Sequence, residues 1–280
     1  MRAYALLRSF IAAGALVGCA TAGAQPARIM SLNLCTDVLV LHLAEREHIA
    51  SLSFIATDSP LSPIVAAARG IPSNHASIEE LVATAPDLVV ARRHTASATV
   101  SFARRFGYRV LELDDPNSYD AAVAQIREAA HVLGEAGRGE KLITRMQARL
   151  AGLPPASGPR PRALVYGPNG YVFGAGSLLD DLIRRAGLRN IAAEQGMGRA
   201  GTVALENLLF DPPDLIFFER ESERVSSLAD ESLRHPALRR LAARIPQADI
   251  SSRLWNCAGP DIAEVVVQMA AVRARAERLE

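Results

Sequence analysis

An α/β fold of two similar lobes with mainly parallel sheets is what this sequence predicts, on three observations. Short apolar runs of strand length alternate with helical stretches in both halves, the pattern of parallel strands joined by right-handed crossovers. One phrase occurs twice. Glu79-Glu80-Leu81-Val82-Ala83-Thr84-Ala85-Pro86-Asp87-Leu88-Val89-Val90 returns as Glu206-Asn207-Leu208-Leu209-Phe210-Asp211-Pro212-Pro213-Asp214-Leu215-Ile216-Phe217, offset by 127 residues (206 − 79). Between the two copies lies the longest helix-prone stretch of the chain. Two lobes built from one repeated unit leave a cleft between them.

The elements follow in order. Arg28 to Asn33 reads as a first strand, and Thr36 or Asp37 can cap a helix running to Glu45. Ile49 to Ser53 is a second strand, and Pro63 opens a short helix through Ala68. Ser77 heads the next helix, with Glu80 three residues on completing a capping box. Leu88 to Ala91 is a buried-type strand, Thr99 to Phe106 a helix and Arg109 to Leu113 a strand. Ala122, Ile126, Ala129, Ala130 and Leu133 keep helical spacing, Gly134, Gly137 and Gly139 interrupt it, and Leu142, Ile143, Met146 and Leu150 resume it. This stretch reads as the helical connection between lobes, with a bend near Gly134. The second half restarts the alternation. Strands fall at Ala163 to Tyr166, Leu215 to Phe218 and Ala248 to Ser251. Helices fall at Leu178 to Ala186, around Glu206, at Leu233 to Ala242 and from Asp261 to Leu279.

The division that follows is a signal peptide over 1–24, a first α/β lobe over 25–116, an interlobe helix over 117–152 and a second α/β lobe over 153–280. The opening segment has Arg2 and Arg8, an apolar run from Phe10 to Gly18 and small residues at Ala20, Ala22 and Ala24, which is an export signal cut after Ala24. Leu16-Val17-Gly18-Cys19 also resembles a lipobox, in which Cys19 carries a lipid anchor. Either way the expected location is the periplasm. Loss of the two arginines takes the net charge from +1 to −1 (1 − 2 = −1), so no global field argues for nucleic acid or a membrane surface. Cys35 and Cys257, 222 residues apart, either pair as a disulfide in the oxidising compartment or remain free thiols. Both fall in cleft-side loops, so a bond between them is expected to hold the cleft shut or nearly so.

Ligands of α/β sheets sit beyond the carboxyl ends of the strands. That rule selects Asn33, Cys35 and Thr36 after the first strand, and Arg92, Arg93 and His94 after the strand at Leu88. In the second lobe it selects Tyr166, Tyr171 and Phe173, then Arg220, then Trp255 and Asn256. Arginines there suit catecholate, carboxylate or phosphate oxygens through bidentate contacts. The six histidines lack metal-ligand spacing, so no metal site and no cofactor is expected, and any iron or cobalt should arrive already chelated.

A first strand ending in Ser31-Leu32-Asn33, a helix glutamate followed by Pro-Asp-Leu-Val, a long mid-chain helix and the repeat at Glu206 together resemble the periplasmic binding proteins of ABC importers for ferric siderophores and cobalamin. The resemblance covers nearly all of residues 28–279. It implies two lobes joined by a single long backbone helix, a shallow cleft with limited hinge closure, and one surface glutamate per lobe that docks onto arginines of the permease. By motif position those are Glu79 and Glu206. The function it implies is capture of an iron-siderophore or similar metal chelate by a monomer and delivery to an ABC permease dimer in the inner membrane. A cobalamin or other corrinoid carrier of the same family is the alternative.

A chelatase-like enzyme of two-lobe fold is the rival of another class. The glycine-dense loop from Gly167 to Gly176 lacks Gly-x-Gly-x-x-Gly spacing, and neither a P-loop nor a Gly-x-Ser-x-Gly elbow occurs, so the chain is not expected to be an enzyme.

Overall fold

The computed structural model describes residues 25–58, 62–156, 158–219 and 231–278. The export signal, Cys19 and Arg220 lie outside these residues.

Two parallel sheets organise the chain. The first has strand order β3-β2-β1-β4-β5, with β1 Ile29–Ser31, β2 Ile49–Ser53, β3 Ser73–Asn74, β4 Leu88–Arg92 and β5 Val110–Leu113. The second has order β11-β10-β6-β8, with β6 Arg162–Tyr166, β8 Arg189–Asn190, β10 Leu215–Glu219 and β11 Gln247–Ile250. A small antiparallel pair, β7 Tyr171–Val172 and β9 Gly201–Thr202, stands beside it. Every strand expected from the sequence is present. The expected helices appear as α1 Leu34–Leu43, α3 Val65–Ala68, α4 Ile78–Thr84, α5 Ser97–Arg105, α8 Leu178–Arg185, α10 Leu205–Phe210, α11 Pro236–Ala242 and α12 Ile262–Ala276. Two short turns of helix, α2 Ile55–Asp58 and α9 Ile191–Glu194, were not expected.

Strand alternation divides the apolar side chains between two faces of each sheet. In β6 and β10, Ala163, Val165, Leu215 and Phe217 point to one cluster, whereas Leu164, Tyr166, Ile216 and Phe218 point to another. In β1 and β4, Ile29, Leu88 and Val90 join that same first cluster, while Met30, Val89 and Ala91 form a third. One core therefore runs through both lobes, and each lobe keeps a separate core on its far face.

The interlobe connection is two helices rather than one. α6 Tyr119–Val132 ends at Gly134, which has φ +77°, and α7 Ala136–Ala151 starts anew. A left-handed backbone after the last turn ends a helix at low cost only for glycine, which is why the period breaks there. α7 folds back on α6: Arg127 Nε donates to Glu140 at 2.6 Å, and a Cβ on Gly139 would stand 2.5 Å from that of Ala130. Without a side chain at Gly139 the two helices approach closely. α7 then bridges the lobes. Arg138 near its start pairs with Glu45, and Arg149 near its end pairs with Glu264 on α12.

Cys35 and Cys257 form a disulfide with Cα atoms 4.6 Å apart. Beside it Val38 of α1 packs so tightly on Gly259 that a Cβ there would come within 2.8 Å. Cys257 and Ala258 are buried in the shared core. The bond therefore joins segments where both lobes already share one core, and a cavity lined by Asn256 and Ala258 lies beside it.

Candidate functional site: the interlobe cleft

A cavity of about 240 Å³ opens between the carboxyl ends of the two sheets. Arg92 and Pro116 line it from the first lobe; Phe173, Ser177, Leu178, Arg199, Trp255 and Asn256 are among its second-lobe walls. None of the described residues that line it is a carboxylate.

Arg92 closes β4 and is held there by an ion pair with Asp115. Burial lowers its pKa below the ordinary guanidinium value. Trp255 ends a short 3₁₀ turn, Ser252–Leu254, after β11 and is only 4% exposed. Its indole N–H is buried and has no hydrogen-bond partner among the described residues. A buried donor left unpaired costs free energy that a ligand acceptor can recover. Phe173 carries Tyr171 edge-on, with ring centroids 5.2 Å apart. Ser177 caps α8, accepting from the Asp180 N–H at 3.1 Å and donating to the Gly174 carbonyl at 2.8 Å, so the positive end of that helix meets the cleft wall.

Arg199 was not singled out by the sequence. It sits on the segment between α9 and β9, which is strapped against the glycine-dense loop. The Ala175 N–H donates to the Met197 carbonyl at 2.9 Å, and a Cβ on Gly174 would lie 2.3 Å from that carbonyl oxygen. The glycine at 174 thus permits a close approach of two backbones. The only local hint of this strap is the flanking Gly196, Gly198 and Gly201.

Of the twelve residues selected by the strand-end rule, the cavity gathers Arg92, Phe173, Trp255 and Asn256. Others are spent on structure. Asn33, not Thr36 or Asp37, caps α1 by accepting from the Cys35 N–H at 2.8 Å. Thr36 is buried, bonded to Ser31 at 2.7 Å and donating to the Asn33 carbonyl at 2.8 Å. Cys35 is in the disulfide, and with Thr36 and Arg92 borders a small separate cavity. Tyr166 is buried in the second-lobe core, where burial raises its pKa. Arg93 is exposed and engaged with Asp114 through two contacts, and its hydrogen bond lowers the Asp114 pKa. His94, at φ +67°, is exposed outside the cavity, and Tyr171 stands behind Phe173.

Glu79 and Glu206 are both exposed, in the first turns of α4 and α10. The capping box expected at Ser77 and Glu80 is present, so Glu80 is tied to its own helix start. In parallel sheets a helix leading into a strand begins at the carboxyl-end edge. Both glutamates therefore stand toward the rim on which the cleft opens.

A profile of the family described as "Periplasmic binding protein" matches residues 29–245. The chain belongs to that family. Among solved structures, the periplasmic heme-binding protein RhuT from Roseiflexus sp. RS-1, in apo form, shares its fold with a TM-score of 0.70 at 22% identity, covering 91% of this chain and 99% of that one. The periplasmic vitamin B12 binding protein BtuF of Vibrio cholerae gives a TM-score of 0.63 at 16% identity, covering 90% and 98%. A curated relative, a cobalamin-binding protein of Halobacterium salinarum, is 23% identical over 214 residues, 75% of this chain. The match spans 58% of that relative's length. Two lobes of parallel sheet, as expected from the sequence, are the architecture these neighbours share.

Proposed function

We propose that this periplasmic binding protein captures a metal chelate with an anionic periphery, of the ferric siderophore type, and delivers it to the permease dimer of an ABC importer. It acts as an exported monomer, without catalysis, and Glu79 and Glu206 are its docking acids. The observation that carries the reading is the cleft lining: one arginine from each lobe, Arg92, which also pairs with Asp115, and Arg199, with no carboxylate among the described lining residues and with the indole of Trp255 in the same lining. Guanidinium groups engage carboxylate or catecholate oxygens, and the aromatic surfaces accept the apolar part of a chelator. The cavity is below the volume usual for a whole drug-sized ligand, so it receives an arm or one face of the chelate.

A corrinoid is the second reading, favoured by the name of the curated relative and by the flat indole wall. Trp255 is the one tryptophan of the chain, so its fluorescence reports on the cleft alone. Titration with a ferric tricatecholate, ferric citrate, haemin and cyanocobalamin separates the readings. Saturable quenching by the anionic ferric chelates supports the first, and quenching by cyanocobalamin alone supports the second. Silence from all four, with no thermal shift, defeats both.

A further inference from the structure

The two copies of the repeated phrase fold into matching helices that show different outer faces. Leu81 and Leu208 are the buried anchors of α4 and α10, at 0% and 2% exposure. Asp87 accepts the Ala27 N–H at 3.1 Å just before β1, and Asp214 accepts the Arg162 N–H at 2.7 Å at the start of β6. Each helix is thereby held in the same attitude on its own sheet, and positions 79, 82 and 83 correspond to 206, 209 and 210. The first lobe presents Glu79, Val82 and Ala83. The second presents Glu206, Leu209 and Phe210, and the phenylalanine is 93% exposed. Residues 206 and 210 are four apart on one helix, so acid and ring share a face. The ring belongs to none of the three buried clusters of the described residues. Leu208 anchors the helix, and bonds of 2.9 and 2.7 Å from Arg162 to Asp211 fix its end.

We propose that Phe210, backed by Leu209, is an apolar key that seats in a recess of the permease subunit facing the second lobe. The inference rests on the docking role of Glu79 and Glu206 given above, and adds a lobe-specific contact to it. The first lobe, with alanine where the second has phenylalanine, offers no such key, so the carrier meets a two-fold permease in one preferred orientation. The occupant has a basic group for Glu206 and an apolar recess about one helical turn away. An anionic lipid surface would repel Glu206, and a second copy of this chain would set acid against acid.

The test uses the full chain expressed in its host. The photo-crosslinker p-benzoylphenylalanine is placed at position 210, and separately at position 82, with products identified by mass spectrometry. Uptake and ligand affinity are measured for Phe210→Ser and Val82→Ala. The expected result is a crosslink from position 210 to an ABC permease subunit. With it, uptake by Phe210→Ser at subsaturating carrier falls about tenfold, a hot-spot effect, while ligand affinity and melting temperature stay unchanged. A permease crosslink from position 82 with none from 210, or unimpaired uptake by Phe210→Ser, overturns the key and leaves the docking reading standing. Crosslinks from neither position overturn both. Crosslinks from 210 only to lipid or to another copy of the chain overturn the key as well.

Discussion

Cys35, in the first turn of α1, is bonded to Cys257, which lies 222 residues further on at the base of the opposite lobe. The bond joins the start of the first lobe's leading helix to the loop that precedes α12. It spans most of the chain, and it ties lobes that already share one core. Its direct consequence is stability.

A crosslink closing so long a loop removes much of the unfolded chain's freedom, worth about 3–5 kcal/mol. Reduction, or the Cys35→Ser/Cys257→Ser pair, should lower the melting temperature by about 10 °C in a domain of this size. Ligand affinity should change little. Differential scanning calorimetry with and without dithiothreitol checks this, and the serine variant should show no further response to the reductant.

Asp37 gives stability a pH dependence. It is fully buried on α1, accepts the Ser53 N–H at 3.1 Å and the Ser53 hydroxyl, and burial raises its pKa from 3.8 to about 7. In the folded protein it keeps its proton over a range where the unfolded chain has lost it. Its contribution is thus fully present below pH 4 and is lost as pH rises toward 7. A shift of this size corresponds to a few kcal/mol, on the order of 1.4 per unit. Asp37→Asn should flatten the fall between pH 4 and 7 in urea melts; an unchanged slope would mean that Asp37 is ionised in the fold.

Gly174 tests the strap that carries Arg199. An alanine there drives its Cβ into the Met197 and Gly198 carbonyls, at 2.3 and 2.4 Å. Gly174→Ala should cost about 1–3 kcal/mol by overpacking. It should also weaken chelate binding more than an Arg199→Ala change alone, since the whole wall shifts. Chemical denaturation and ligand titration on the two variants decide it.

Docking by charge is separable from binding. Glu79→Lys with Glu206→Lys should abolish uptake by intact cells while leaving the dissociation constant of the chelate within about twofold, as expected for exposed rim charges. A parallel loss of affinity would place those acids at the ligand.

Much of the fold was legible because it rests on local chemistry. The apolar runs at Leu88 and Leu215 are strands buried on both faces, and Ser77 with Glu80 forms the capping box that its spacing announces. What the sequence hid depends on tertiary company. β3, β7, β8 and β9 are two residues each, too short to show a period. Gly134 marked a bend, yet only the close contact of Gly139 with Ala130 turns the bend into a fold-back. In the cleft, four residues selected by the strand-end rule, Arg92, Trp255, Phe173 and Asn256, line the cavity, because sheet topology brings strand ends together. It could not tell that Asn33 and Thr36 serve α1, or that a strap from residues distant in sequence brings Arg199 to the wall.

The central claim is that one arginine from each lobe holds an anionic metal chelate in the cleft. Isothermal titration of a ferric tricatecholate into the wild-type chain and into Arg92→Ala, Arg199→Ala and the double variant tests it most directly. The account predicts one site, an affinity loss of about tenfold or more for each arginine from the lost charge-assisted bonds, and a larger loss in the double variant. Equal affinity in the double variant, or a ligand that binds only elsewhere on the protein, would contradict it.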